Sequence, residues 1–172
     1  LMNWKRTWRH LITDQRAARK LFPDRSLRNL AQATKHGEQL HRGQVRLAIE
    51  ASLPLESVRH GMTPRQRAIE VFGLLRVWDT AANNGVLVYL LIADAAVEIV
   101  ADRGIHAKVG DAEWQAICAK METRFRAGGF ADGVKTGLVE IGSLLALHFP
   151  RSGRDAAPTI DDNEMPDAPV IL

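Results

Sequence analysis

Six oxygen-bearing side chains between residues 79 and 102 are the best candidates for chemistry in this chain: Asp79, Asn83, Asn84, Asp94, Glu98 and Asp102. Carboxylate and carboxamide oxygens delivered from loops suit Ca²⁺ or Mg²⁺, hard cations that take six or more oxygens or keep a hydrated octahedron. Asp79, Asn83, Asn84 and Asp102 are the expected metal-binding set. Asp79 ends a helix, where the macrodipole disfavours a carboxylate without a compensating partner. Arg65 and Arg67 open that helix and Arg103 follows Asp102. Arg67 and Arg103 are therefore the expected anion binders, placed to hold a phosphate beside a cation. The same residues also have a plainer reading. Asn83-Asn84-Gly85 is turn chemistry, Asp79 is a loop carboxylate, and arginines in a first helical turn are usually solvated.

No established catalytic motif accompanies them. The chain lacks a Walker loop, a Gly-x-Gly-x-x-Gly, a Gly-x-Ser-x-Gly and a His-Glu-x-x-His. In His36-Gly37-Glu38-Gln39-Leu40-His41 the two histidines diverge by about 140° on a helix, whereas Glu38 and His41 share a face. A local Glu–His pair is expected there in preference to a metal ligand pair. The single cysteine, Cys118, excludes an intrachain disulfide and a cysteine-based zinc cage.

The elements that must position these residues centre on 83–105. Val86 to Ala93 is an unbroken apolar run, expected as a central strand covered on both faces. It is too short to span a bilayer, which needs roughly 20 apolar residues. After the break Asp94-Ala95-Ala96, Val97 to Asp102 reads as a second strand. A break this short holds no crossover helix, so the two strands form an antiparallel hairpin. Its incoming and outgoing loops, Asn83-Asn84-Gly85 and Asp102-Arg103-Gly104, then meet at one end.

Upstream, residues 4 to 22 read as one helix with Trp4, Trp8, Leu11, Ile12, Ala18 and Phe22 near one stripe. Trp8 is expected buried and Trp4 exposed. Pro23 ends that helix, and a second, capped by Asp24 or Ser26, runs to about His41. Gln44 to Ser52 alternates as a strand, and a short piece lies between Pro54 and Gly61. Thr63-Pro64 starts a helix to about Val77, with Ile69, Phe72, Leu75 and Trp78 facing inward. Downstream, 105–109 has no assigned structure. A helix capped by Asp111 carries Trp114, Ile117, Cys118, Met121 and Phe125 on one stripe, and a last helix runs from Phe130 to His148. Gly129, Gly133 and Gly137, four apart, mark a close helix approach. Strand, helix and hairpin in succession give a small mixed sheet with helices on both faces, an α/β fold.

A chain of 172 residues that is 46% hydrophobic builds one domain with a proper core. The expected organisation is a basic amphipathic helix over 1–23, the α/β domain over 24–150, and a flexible acidic tail over 151–172. The net charge of +3 conceals an asymmetry: residues 1–46 hold eleven Lys/Arg against three Asp/Glu, and residues 151–172 hold two against five. Such a front end suits phosphate-bearing partners, or it is a set of solvated helix faces. Trp4 to Leu21 is basic and interrupted, unlike a signal peptide, so a cytoplasmic location is expected.

Asn83-Asn84-Gly85-Val86-Leu87, the apolar strand to Ala93, Val97-Glu98-Ile99 and Asp102-Arg103-Gly104-Ile105 resemble the TPM domain. That family includes a thylakoid acid phosphatase, a photosystem II repair protein and a modulator of acetylcholine receptors. The likeness continues through Trp114, Phe125, Phe130 and Gly133 to His148-Phe149-Pro150, roughly residues 10 to 150. It is strong towards short bacterial members that keep Val77-Trp78-Asp79-Thr80 and a tail like Asn163-Glu164-Met165-Pro166-Asp167. The resemblance implies an α/β/α sandwich with a mixed sheet, divalent-cation binding in some members and weak phosphatase activity in some. Many members carry an acidic residue where Asn83 stands, so a cation would be held less strongly here. Many are also exported and membrane-tethered, and neither signal nor anchor is visible in this sequence.

The expected function is that of a binding or accessory module for membrane-associated machinery. It would meet a membrane-associated protein partner through its front helix, with peripheral contact to an anionic membrane through Trp4 and the flanking cations. The alternative is a divalent-cation-dependent phosphomonoester hydrolase, in which Ca²⁺ or Mg²⁺ on Asp79, Asn84 and Asp102 polarises the phosphoryl oxygen. Nucleic acid is disfavoured, because few aromatics are suited to stacking on bases.

Overall fold

The computed structural model describes residues 3–151 and 165–172. Its sheet has four strands, β1 (Gln44–Glu50), β2 (Gly85–Leu91), β3 (Ala96–Ala101) and β4 (Val170–Ile171), in the order β3-β2-β1-β4. β1 runs parallel to β2 and to β4, and β2 is antiparallel to β3, so the sheet is mixed. A 3₁₀ turn at Ile92–Asp94, followed by Ala95 in the left-handed region, closes the β2–β3 hairpin.

β2 is buried along its whole length, as its apolar run requires. Val86, Val88 and Leu90 enter the larger core with Val45, Leu47 and Ile49 of β1. That core is filled from α2 (Gln15–Leu21), α3 (Asp24–Glu38), α6 (Arg103–Val109), α7 (Asp111–Arg126) and α8 (Phe130–His148). Leu87, Tyr89 and Leu91 enter the smaller core on the other face. That one is covered by α4 (Leu55–Arg59), α5 (Pro64–Leu74) and Met165. Helices on both sheet faces make the expected α/β/α sandwich.

Several local expectations are corrected. The front helix is two helices, α1 (Trp4–Ile12) and α2, because Thr13 is extended and Asp14 caps α2 by accepting from Ala17 N–H at 3.0 Å. α5 turns Ala68 and Val71 inward, with Phe72 and Leu75 partly buried beside them. These positions repeat at three and four residues, whereas Ile69 is 52% exposed and Trp78, beyond the helix end, 50% exposed. Residues 103–109 are helical, and Gly110 precedes α7, leaving Asp111 in the first turn where its charge favours the macrodipole. Glu38 and His41 bond the main chain: Glu38 Oε1 accepts from Val45 N–H at 3.2 Å, and His41 Nδ1 lies 3.1 Å from Gly43 O. Gly133 and Gly137 do bring α8 against α7; a Cβ on Gly137 would run into Met121 Sδ.

The tail differs most from expectation. Residues 165–172 are built into the fold, so they are not a flexible tail; residues 152–164 lie outside the described residues. Val170 and Ile171 pair with Ala48 and Ile49, and Leu172 N–H donates to Ile49 O at 2.9 Å. Met165 is buried, and its N–H donates to Gln44 Oε1 at 3.2 Å. The Arg46 guanidinium, buried on the smaller-core face, donates to the carbonyls of Pro166 and Ala168. A buried cation needs such acceptors, so the segment completes β1 as well as flanking it. Glu38 adds a pH-sensitive contact here: burial, then a hydrogen bond with Asp167, pushes its carboxyl up to about 8.

Two outcomes follow. A chain ending at Glu164 should lose about 2–5 kcal/mol in urea denaturation, from an exposed Met165 site and an orphaned Arg46. Because the folded pKa of Glu38 lies above its ordinary 4.5, its contribution is complete below that value and is lost as pH rises through about 8. Stability should therefore fall between the ordinary 4.5 and about 8, and Glu38→Gln should flatten that fall in a melting-temperature series.

Candidate functional site

Two ends of the sheet carry polar clusters. At the first, the loop between α5 and β2 meets the start of α6. Asn83 sits in the left-handed region and its carbonyl accepts from Ile105 N–H at 3.2 Å, while Asp102 N–H donates to Gly85 O at 2.8 Å. Asn84 N–H donates to Thr80 Oγ1 at 3.1 Å, and the Asn84 side-chain amide donates to Arg42 O at 3.0 Å. Gly85 has no room for a side chain, because a Cβ there would meet the Val77 carbonyl oxygen. The hairpin's two loops thus converge at one end, as its antiparallel pairing demands.

The convergence is selective. Asp102 Oδ1 caps α6 by accepting from Arg103 N–H at 2.7 Å, but Asp102 Oδ2 and Asn84 Oδ1 are buried with no hydrogen-bond partner among the described residues. Buried oxygens of this kind are rare and call for an explanation. Asp79 is different: its carboxylate is exposed and paired with Arg76 at 2.6 Å. Among the described residues there is no cluster of three or more His, Cys, Asp or Glu side chains that could hold a metal. The donors that fit a hard cation are one carboxylate oxygen, one amide oxygen and whatever main-chain carbonyls and water complete the shell. Asn83 stands beside them in the loop.

The two expected anion binders separate. Arg103 is exposed at the first residue of α6. Arg67 is partly buried and donates to both oxygens of Glu50 at 2.9 Å and to Glu70 at 3.1 Å. Tyr89 O–H donates to Glu50 Oε2 at 2.6 Å. This network consumes the guanidinium: the hydrogen bonds to Glu50 raise its pKa despite burial, and burial with the Glu50 carboxylate raises that of Tyr89.

At the opposite end of the sheet, α1 lies against the hairpin turn and α4, and its polar contacts go to the turn and to main chain on either side of α4. Arg6 donates to Asp94 at 2.8 and 3.0 Å and to Met62 O at 2.7 Å, and Arg9 reaches Asp94 at 3.3 Å. Leu53 N–H donates to His10 Nδ1 at 2.9 Å, so the ring proton is on Nε2, which lies 3.2 Å from Asp94 Oδ1. Burial lowers the His10 pKa against the pull of Asp94. Burial would raise the Asp94 carboxyl, yet Arg6 and His10 hold it below the usual range.

The consequence is an inverted helix. Arg6 and His10, four apart, face the protein, while Trp4 and Trp8 on the opposite side are 71% and 61% exposed. Leu11 and Ile12 are exposed beside them. Trp8 is therefore not buried as expected, because the polar face of α1 wins the contact with Asp94. Sequence reasoning placed Asp94 among the candidate oxygens but missed its partners. The signal was the i, i+4 pair Arg6/His10 lying opposite the tryptophan stripe.

Asp94→Ala should therefore destabilise the fold by about 3–5 kcal/mol, the cost of stranding the partner of a buried charge. Because the Asp94 pKa is depressed, its contribution is present above its ordinary 3.8 and lost as pH falls through the lower folded value. Wild-type stability should drop below pH 4 more steeply than that of the variant, as read by chemical denaturation.

A family model described as the TPM domain matches residues 16–144, which leaves α1 and β4 outside the matched span. No curated protein matches significantly. Among solved structures, the BA42 protein from the psychrophilic bacterium Bizionia argentinensis is similar, with a TM-score of 0.72 and 25% identity over 86% of this chain and 93% of that one. The N-terminal domain of a P. gingivalis protein shares the fold, with a TM-score of 0.61 and 14% identity over 77% of this chain and 83% of that one. With the mixed sheet, the hairpin and its convergent loops in place, the chain belongs to the TPM domain family.

Proposed function

We propose that the protein is a peripheral binding module that docks through the outer face of α1 onto an anionic membrane surface, placing its TPM domain beside membrane-associated machinery. The inverted helix carries this reading. A fold that needed the stripe would have buried it; here Arg6 and His10 hold α1 and leave two tryptophans, Leu11 and Ile12 in water. Between Asn3 and Thr13 there is no acidic residue, and Lys5, Arg9 and Arg16 are exposed nearby. Aromatic rings at the edge of an apolar stripe, flanked by cations, match the headgroup layer of anionic lipid. Each basic residue near such a surface contributes about 1 kcal/mol, decaying within a Debye length. Among the described residues no helix is long and apolar enough to cross a membrane, so the contact proposed is with its surface.

Vesicles test this directly. Phosphatidylglycerol vesicles at low salt should sediment the protein and blue-shift tryptophan emission, phosphatidylcholine vesicles should do neither, and salt should reverse the effect. Trp4→Ala with Trp8→Ala should abolish binding while changing folding stability by no more than about 0.5 kcal/mol, as exposed substitutions do. Failure to bind anionic vesicles at low salt would overturn the lipid reading and leave a protein surface as the occupant of this face.

A second reading rests on the orphaned oxygens. We propose that Asn84 Oδ1 and Asp102 Oδ2 help to hold Ca²⁺ or Mg²⁺ weakly, with Asn83 near enough in sequence to assist. Ligand binding to the folded state raises stability by linkage, so millimolar Ca²⁺ should raise the melting temperature. Asp102→Asn keeps an acceptor for Arg103 N–H and should remove most of the shift. No shift with either cation at millimolar concentration would overturn this second reading. Of the two guanidiniums expected to hold a phosphate, Arg67 is already held by Glu50 and Glu70 and only Arg103 is exposed, so this second reading stops at cation binding.

A further inference from the structure

Away from both ends of the sheet, the outer edge of β3 lies in a cleft of about 450 Å³. Arg65 of α5 borders it from one sheet face, and His106 of α6 and Trp114, Cys118 and Glu122 of α7 border it from the other. A free sheet edge commonly invites another strand, but this one is closed by side chains. Val97 N–H donates to Glu122 Oε1 at 3.3 Å, and Arg65 donates to Ile99 O at 2.5 Å. The space that remains is of the size that small molecules occupy.

Its chemistry is one-sided. Glu98, Glu122 and Asp111 bring three carboxylates to the lining. Arg65 lies 3.6 Å from Glu98 and is about half exposed, and His106 lies 3.8 Å from Asp111. Burial raises the Glu98 carboxyl above its usual range, with Arg65 opposing and Glu122 adding to the rise. Independently of the carboxylates, Trp114 is 4% exposed and lines the cleft, and its indole N–H has no acceptor among the described residues. A buried donor without an acceptor is destabilising, and a bound oxygen would satisfy it. Burial pushes the thiol of Cys118 up to about 12, which disfavours a thiolate in the cleft.

We propose that this cleft binds a small ligand that carries a side-chain ammonium or guanidinium group together with an acceptor oxygen. The cation meets Glu98 and Glu122, and the oxygen accepts from the Trp114 indole N–H. Basic amino acids have both groups, and this site is independent of the outer face of α1.

The Trp114 indole N–H resonance, assigned by its loss in Trp114→Phe, reports occupancy without interference from the exposed tryptophans. L-Arginine or L-lysine at millimolar concentration should move it saturably, and L-citrulline, in which a neutral urea replaces the side-chain guanidinium, should not. Glu98→Gln and Glu122→Gln each remove a charge but keep an acceptor oxygen, so the Val97 contact and the fold survive. Each should weaken binding about tenfold, the loss expected for one charge-assisted hydrogen bond. The proposal is overturned if neither basic amino acid moves the resonance, if citrulline binds equally, or if both glutamine variants bind as wild type does.

Discussion

β2 has no face left to water, and that constraint organises the molecule. Seven consecutive residues from Gly85 to Leu91 are buried, so the strand needs a helical layer on each side and a hydrogen-bonded neighbour along each edge. β1 and β3 supply the edges. The larger layer comes mainly from helices distant in sequence, α3, α7 and α8, packed through Leu30, Ile117, Met121, Ile141 and Leu145. Burial of each large side chain contributes roughly 1.5–3 kcal/mol, which makes this layer the main source of stability. The smaller layer uses two short helices, and it reaches closure only when Met165 returns from the chain's far end.

The smaller core therefore carries charges that the larger one does not. Its face of β1 presents Arg46 and Glu50 where the alternation calls for a solvent side. Both are buried, and each is answered within the chain, Arg46 by the carbonyls of the returning tail and Glu50 by Arg67 and Tyr89. Pairing of this kind stabilises less than it specifies, because desolvation offsets much of the attraction. What it specifies is placement: α5 is positioned over β1 and β2 by one guanidinium, and the tail along β1 by another.

α1 obeys a different rule from the other helices. Its attachment is electrostatic and directional, through one carboxylate at the hairpin turn. Its apolar residues are thereby left outside the core. The inner layers are complete without them, which frees that face for contact with something other than this chain. The cleft along β3 is a second such remainder, since the two helix layers stand apart at the sheet edge and acidic side chains fill the gap between them.

What the sequence determined by itself was the local periodicity. The apolar run from Val86, the alternation from Gln44, the stripe from Trp114 to Phe125 and the spaced glycines of α8 each lead to the element observed, because burial on one face writes a period of two or near three and a half. The antiparallel hairpin followed from a break too short for a crossover, and the meeting of the loops that carry Asn84 and Asp102 followed from the hairpin. Tertiary structure alone decided which charged groups are spent. Arg67 and Glu50 are seventeen residues apart and Arg6 and Asp94 eighty-eight, and no local pattern announces such pairs. The same holds for the tail: Val170 and Ile171 look like a scrap of apolar chain until β1 offers an unpaired edge. It holds most clearly for α1, where periodicity found the stripe correctly, and a single carboxylate 82 to 90 positions away turned it outward, because a buried charge must find its partners before an apolar face may choose its side.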